Sequence, residues 1–290
     1  MADPLGLGKV IENGKEVLKT VYPDLLQPAT KQAGKALETV LELSNTILLP
    51  IKLINVKARL NFENHIKKYE EKLNAHPEEE ITTVLPDIGL PVIDRLTYLT
   101  NEEIADLFIN FLVSASLNNT VNQAHPRFIN ILNSLSVDEA RLIKYFHEKN
   151  QEYIPFIDYE LHVNKRKEPS TKLGLNYLPE NEVSLQLLMN SNNLKYELEL
   201  MSEENINLYL ENLESLGLLT RTTERHIIAA EKIYTMIETH NRHELTTLEE
   251  EQSLKLRTDY PNHEITTNKI YGFYTLTYLG EKFVSVCNKQ

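Results

Sequence analysis

The chain holds a single cysteine, Cys287, in 290 residues. An intrachain disulfide is therefore impossible, and zinc sites built on paired thiolates are excluded, although histidine-only sites stay open. One thiol fits a reducing cytosol. The N-terminus has no charged start followed by an apolar core, so no secretory signal is expected and the chain reads as cytoplasmic. Glycine is scarce: nine residues are scattered, and they form neither a P-loop nor a dinucleotide fingerprint. No nucleophile elbow occurs. Positive charge is also in short supply. The net charge of -12 argues against general affinity for nucleic acid, whose phosphates need clustered Lys and Arg.

What remains is an ordinary soluble composition, 41% hydrophobic and 25% charged, in a chain long enough for one large domain or two smaller ones. The charge is uneven. Residues 1–68 carry 10 basic and 7 acidic side chains, which leaves 20 and 35 for the rest. An anionic partner or a lipid surface is therefore sought at the N-terminal end.

Residues 9–22 read as a weak helix stopped by Pro23. Residues 29–56 form the most apolar stretch, with Ala33, Ala36, Leu37, Val40, Leu41, Ile47, Leu48, Ile51 and Ile54 near helical spacing. Glu38, Glu42, Lys52 and Pro50 interrupt it. Its longest uncharged run, Leu43 to Ile51, is far short of the ~20 residues that span a bilayer. A core helix is the expectation, and membrane contact through 9–56 is the alternative. Residues 57–75 carry a narrow apolar stripe, Phe62, Ile66, Tyr69 and Leu73, on a charged cylinder, and this is read as a partner-facing surface. His76-Pro77 ends that helix, and Glu78-Glu79-Glu80 reads as a solvated linker at a domain boundary.

Thr100 with Glu103, and Ser136 with Glu139, have the spacing of capping boxes that open helices. Pro126 suits the first turn of another. A first strand is expected around Tyr153–Leu161, followed by a polar loop around Lys165-Arg166-Lys167 and a helical region near 183–200. Ser202 is expected to cap a helix that Gly217 stops. A strand at Tyr271–Thr275 and a last helix after Leu276 complete the pattern. A helix ending Leu213-Glu214-Ser215-Leu216-Gly217-Leu218-Leu219, with Leu276-Thr277-Tyr278-Leu279-Gly280 later, is similar to winged helix-turn-helix domains. Residues 223–257 would be a helical insertion between the wing strands. The expected fold class is mainly α. An N-terminal helical bundle or arm (1–80) and a helical hairpin core (81–135) precede a winged-helix-like α+β domain with a small antiparallel sheet (136–290). The helix that would enter the major groove carries Glu203, Glu204, Glu211 and Glu214 and no Lys or Arg, which disfavours DNA as a partner.

Three chemical readings compete with plain structure. His125, flanked by Pro126 and Arg127, could bind an anion or shuttle a proton, or it could hold the turn before the next helix. The pairs Arg59/His65, Arg141/His147, Arg221/His226 and Arg257/His263 have the spacing of a helical ribonuclease centre, but lack the polar residue that usually follows the arginine. RNA thus remains a weak alternative partner. His240-Asn241-Arg242-His243-Glu244 has two potential ligands on one helix face and no third, so no metal and no cofactor is expected.

Leu90-Pro91-Val92-Ile93-Asp94-Arg95-Leu96, Ala124-His125-Pro126-Arg127-Phe128, Leu135-Ser136-Val137-Asp138-Glu139-Ala140 and Ala33-Gly34-Lys35-Ala36-Leu37 together resemble the abortive infection alpha family of bacteria and their prophages. The resemblance implies phage defence by growth arrest or cell death. The family has no established active site, so it implies no catalytic residues. A non-enzymatic defence protein, working through protein–protein or conditional membrane contacts of its N-terminal helices, is the leading expectation, with a protein partner or self-association implied. The alternatives are a ribonuclease effector and a winged-helix transcriptional regulator.

Overall fold

The structure, a computed structural model, describes residues 35–37, 40, 56–148, 152–165 and 183–288. The expected helix at 9–22, most of the apolar stretch 29–56, and Arg166 and Lys167 lie outside the described residues. The principal elements, in chain order, are α1 (Val56–Leu73), α2 (Pro86–Leu96), α3 (Glu102–Ala115), α4 (Arg127–Ser134), α5 (Val137–Glu148), β1 (Ile154–Lys165), β2 (Val183–Ser191), α6 (Ile206–Ser215), β3 (Leu219–Thr223), α7 (Glu231–Asp259), β4 (His263–Leu276) and α8 (Tyr278–Cys287). The fold is mainly α with a C-terminal α+β part. It divides into two compact units, Met1–His147 with Leu279–Gln290, and Glu148–Tyr278. These divisions fall at 147/148 and 278/279 rather than at 80 and 135.

The first unit is built around α3. Its apolar residues run almost all the way round, and every residue from Ile104 to Ala115 except Asp106 is buried. A helix of that kind must be covered on several sides. The stripe of α1 supplies one cover: Phe62, Ile66, Tyr69 and Leu73 are all buried, and α1 packs on α3. This corrects the reading of the stripe as partner-facing. Spacing marks a face that docks, but not whether its mate belongs to the same chain. Each of these side chains contributes roughly 1.5–3 kcal/mol by leaving water. The Tyr69 hydroxyl bonds Ser116 Oγ at 2.7 Å, and buried His65 donates from Nδ1 to the Leu96 carbonyl at 2.9 Å.

Glu78 and Glu79 are solvent-exposed, as expected of this acidic run, but Glu78–Glu80 is not irregular. It makes one turn of 3₁₀ helix, and the chain beyond it is stitched to the loop after α3. Ile81 bridges Leu117, Thr82 N–H donates to Ser116 O at 2.8 Å, and Asn118 N–H donates to Glu80 O at 2.8 Å. From the apolar stretch, Ala36, Leu37 and Val40 are helical and buried. Val84 N–H donates to Ala36 O at 2.8 Å.

The caps decide where helices begin. Ser136 and Glu139 form the expected reciprocal box, at 2.6 Å and 3.3 Å. At α3 the cap is Asn101, not Thr100: the Asn101 carboxamide accepts from Ile104 N–H at 3.0 Å. Asparagine caps at least as well as threonine, and Glu103 is drawn away to Arg141 of α5, with Oε1 2.6 Å from Nη2. Ser202 makes no side-chain cap bond; a 3₁₀ turn, Glu203–Asn205, intervenes before α6.

The second unit carries a four-stranded sheet in the order β2-β1-β4-β3, with every pair antiparallel. Residues 183–191 are strand, which corrects the expected helix near 183–200 and leaves only one helical turn, Leu194–Glu197. Val183-Ser184-Leu185-Gln186-Leu187 alternates with period two, and that pattern suits a strand. α7 lies against one face of the sheet, over Ile157 and Tyr159, with Ala230, Tyr234 and Ile237 inside. Gly217 has φ 77°, the left-handed geometry that lets the chain leave α6 for β3.

Gly89 of α2 faces Val40, and a Cβ there would collide with the valine side chain. Valine is branched at Cβ and turns away poorly. Gly89→Ala is expected to destabilise the protein by about 1–3 kcal/mol, as overpacking does. Urea unfolding measures this; an unchanged midpoint would mean that Val40 does not pack there.

Candidate functional site

His125 is exposed at the turn into α4. Its Nδ1 accepts the Arg127 N–H at 3.1 Å, and its ring meets the edge of Phe128 with centroids 6.3 Å apart. The imidazole thereby satisfies one of the donors left open at a helix start. This is the turn-holding geometry, and among the described residues no pair or ring contact joins a second titratable side chain to His125.

The Arg/His pairs are drawn into separate networks. His65 is held by Leu96, while the Arg59 and His147 side chains lie outside the described residues. Arg141 is bound by Glu103 and, at 3.5 Å, by Asp138. Arg221 is on β3, whereas His226 stacks on Tyr234 at 4.7 Å and meets Glu231 at 2.9 Å. Arg257 is exposed near the end of α7, and the His263 ring meets Tyr260. His240 bonds Asn193 at 3.0 Å and packs against the Tyr196 ring, tilted by 42°, with centroids 4.0 Å apart. Among the described residues no group of three His, Cys, Asp or Glu side chains converges. Burial pushes the Cys287 thiol well up, so its thiolate is disfavoured.

Two polar clusters in the second unit had no sequence signal. On one face of the sheet, Arg221 pairs with buried Asp158 of β1. Its Nε donates to Asn190 Oδ1 at 3.0 Å, and its guanidinium lies 4.5 Å from the Phe156 ring centroid. Asp158 also accepts the Asn190 N–H at 2.7 Å. Asn190 has φ 52° and sits beside the register shifts between β1 and β2. The cluster therefore pins a bulged edge to the middle of the sheet, and the buried charge is matched. On the opposite face, under α7, Tyr271 donates to Glu238 at 2.8 Å, and Glu238 pairs with Lys269 at 2.9 Å. Tyr234 donates to Gly272 O at 3.0 Å. The buried Tyr159 hydroxyl has no hydrogen-bond partner among the described residues.

A third feature is exposed. α6 buries Ile206, Tyr209, Leu210 and Leu213 and turns Leu208, Glu211, Glu214 and Ser215 outward. Met189 and Met201 are also exposed, and Asn207 Nδ2 donates to Met189 O at 3.2 Å.

Two measurements check these networks. Arg221→Ala leaves the Asp158 carboxylate buried and unpaired, and is expected to lower stability by about 3 kcal/mol; a loss within the noise of denaturant unfolding would show that water replaces the arginine. Burial pushes Tyr271 and Tyr274 up to about 12, and pushes Tyr69 and Tyr159 up as well. A raised phenol favours the folded state fully below the unfolded value near 10, and that contribution is lost as pH rises through the folded value. Thermal stability is therefore expected to fall above about pH 10, with the phenolate absorbance of the buried tyrosines, unlike that of exposed Tyr98, Tyr196 and Tyr278, appearing together with unfolding. Phenolate absorbance that develops fully in the folded protein at pH 10 would contradict the burial.

Comparison with curated proteins and with solved structures finds no match. A family profile described as abortive infection alpha matches residues 57–287, from the second residue of α1 to the end of α8. The match takes in both compact units. The chain belongs to the abortive infection alpha family.

Proposed function

We propose that this protein acts in phage defence by abortive infection, and that it does so by presenting surfaces to a protein partner. The observation that carries the second half is how its most reactive side chains are placed. His65, His125, Arg141 and Arg221 each hold two elements, or a helix start, together. Side chains fixed in this way stabilise a scaffold, and the exposed face of α6 is left to meet other molecules. Membrane contact by the N-terminal segment would require Ala36, Leu37 and Val40 to leave buried positions beside Val84 and Gly89. No helix among the described residues is long and apolar enough to cross a membrane.

A second reading, a winged-helix regulator, draws support from the order of elements: α6 leads into the antiparallel β3–β4 pair and then α8, with α7 as the insertion. The carboxylates of α6 oppose it, since they would face phosphates.

Expression of the chain in a phage-sensitive bacterium is expected to lower plating efficiency for at least one phage of a broad panel. Equal plating with and without the protein across the panel would remove the defence reading. Retention of duplex DNA at low salt, lost steeply as salt rises, would favour the regulator instead.

A further inference from the structure

In the winged-helix reading α6 would be the helix that reads DNA, yet its charge has the opposite sign. From Tyr196 to Thr220 the sequence contains no Lys or Arg. Over the same stretch Glu197, Glu199, Glu203, Glu204, Glu211 and Glu214 are all exposed. Apolar side chains stand among them: Met201 is 73% exposed, Leu208 59% and Met189, beside Asn207, 43%, while Tyr196 at the start of the stretch is partly covered by Lys195 and His240. An exposed leucine alone needs no explanation. Leucine and methionines set in a field of one sign are different, because flexible apolar anchors ringed by charge are how a surface grips an amphipathic helix.

We infer that the outward face of α6, with Met189 and Met201, is a docking site for a cationic amphipathic segment of a partner protein. The inference rests on the reading that the protein works through contacts, and it names the chemistry of the contact. Lys and Arg of the partner would meet the six carboxylates, and its apolar face would cover Leu208 and the methionines. The acidic face repels nucleic acid and acidic lipid, so the occupant is protein. Complementary charge steers the encounter, and burial of the apolar anchors holds the complex.

The test uses the full chain and a labelled amphipathic Leu/Lys peptide, followed by fluorescence anisotropy. The wild-type protein binds, and binding weakens with salt. Glu203→Lys/Glu204→Lys/Glu211→Lys weakens it by about tenfold or more, which is at least ~1.4 kcal/mol. Leu208→Asp, at an exposed position that the fold does not need, weakens it several-fold. Glu244→Lys/Glu250→Lys/Glu251→Lys reverses as many exposed charges on α7 and leaves binding close to wild type. The inference fails if the wild type does not bind at low salt, if the α7 variant loses as much as the Glu203/Glu204/Glu211 variant, or if Leu208→Asp binds unchanged. Plating efficiency is read separately. Protection that survives a failed titration overturns this site and leaves the defence role standing. Absence of protection in the wild type overturns the defence role whatever the titration gives.

Discussion

The structure depends on one meeting between the middle of the chain and its end. The last carbonyls of a helix have no partner within it, and those of α8 are buried. Two side chains of α3 answer them: Asn110 Nδ2 donates to Cys287 O at 2.9 Å, and Ser114 Oγ donates to Val286 O at 2.8 Å. A buried carbonyl left open would cost about 1–3 kcal/mol, so Asn110 and Ser114, the two polar residues in the otherwise apolar run Leu107–Ala115, select what may dock there. Aromatic edges reinforce the choice. Phe128 meets Phe111 at 6.1 Å and Phe283 at 5.4 Å, both edge to face. α8 and α3 are more than 170 residues apart in sequence, so the first unit closes only when α8 has returned to it. Everything from Glu148 to Tyr278 is an insertion in the sequence of that unit.

Local chemistry was legible in the sequence where one short stretch settles the outcome. The Ser136/Glu139 box and the Gly217 stop depend on neighbours a few residues away, and both stand as read. The choice between Thr100 and Asn101 shows the limit: either could cap, and Arg141, remote in sequence, removes Glu103 from the box. The stripe of α1 was legible as a stripe, because Phe62, Ile66, Tyr69 and Leu73 repeat at helical spacing. Its mate was not, because α3 offers apolar residues in every direction and advertises no particular face. The strand at 183–191 was misread because its short apolar run fits either period until a partner strand is known. The Arg221–Asp158–Asn190 cluster left no trace at all, since its members come from three strands and meet only when the sheet forms.

Arginine and histidine within a few residues of each other suggested chemistry, and the folded chain shows why spacing alone misleads. Near neighbours along a strand or around a turn face opposite sides, so Arg221 reaches Asp158 while His226 stacks on Tyr234 and Tyr271. A reaction centre needs groups that converge with unmet valence. Among the described residues the buried Asp158 charge is matched inside the sheet, whereas Glu203, Glu204 and Glu211 are exposed to solvent. That distribution is what a scaffold requires. Its interior electrostatics hold a geometry fixed, and its exterior electrostatics state the sign of whatever is to be met. A surface of carboxylates around Leu208 has one cheap complement, a segment whose own lysines or arginines flank an apolar face. That surface is carried by α6, which packs on β3, and β3 is tied to β1 by the Arg221–Asp158 ion pair; a face fixed in this way would lose less entropy on binding than a loop.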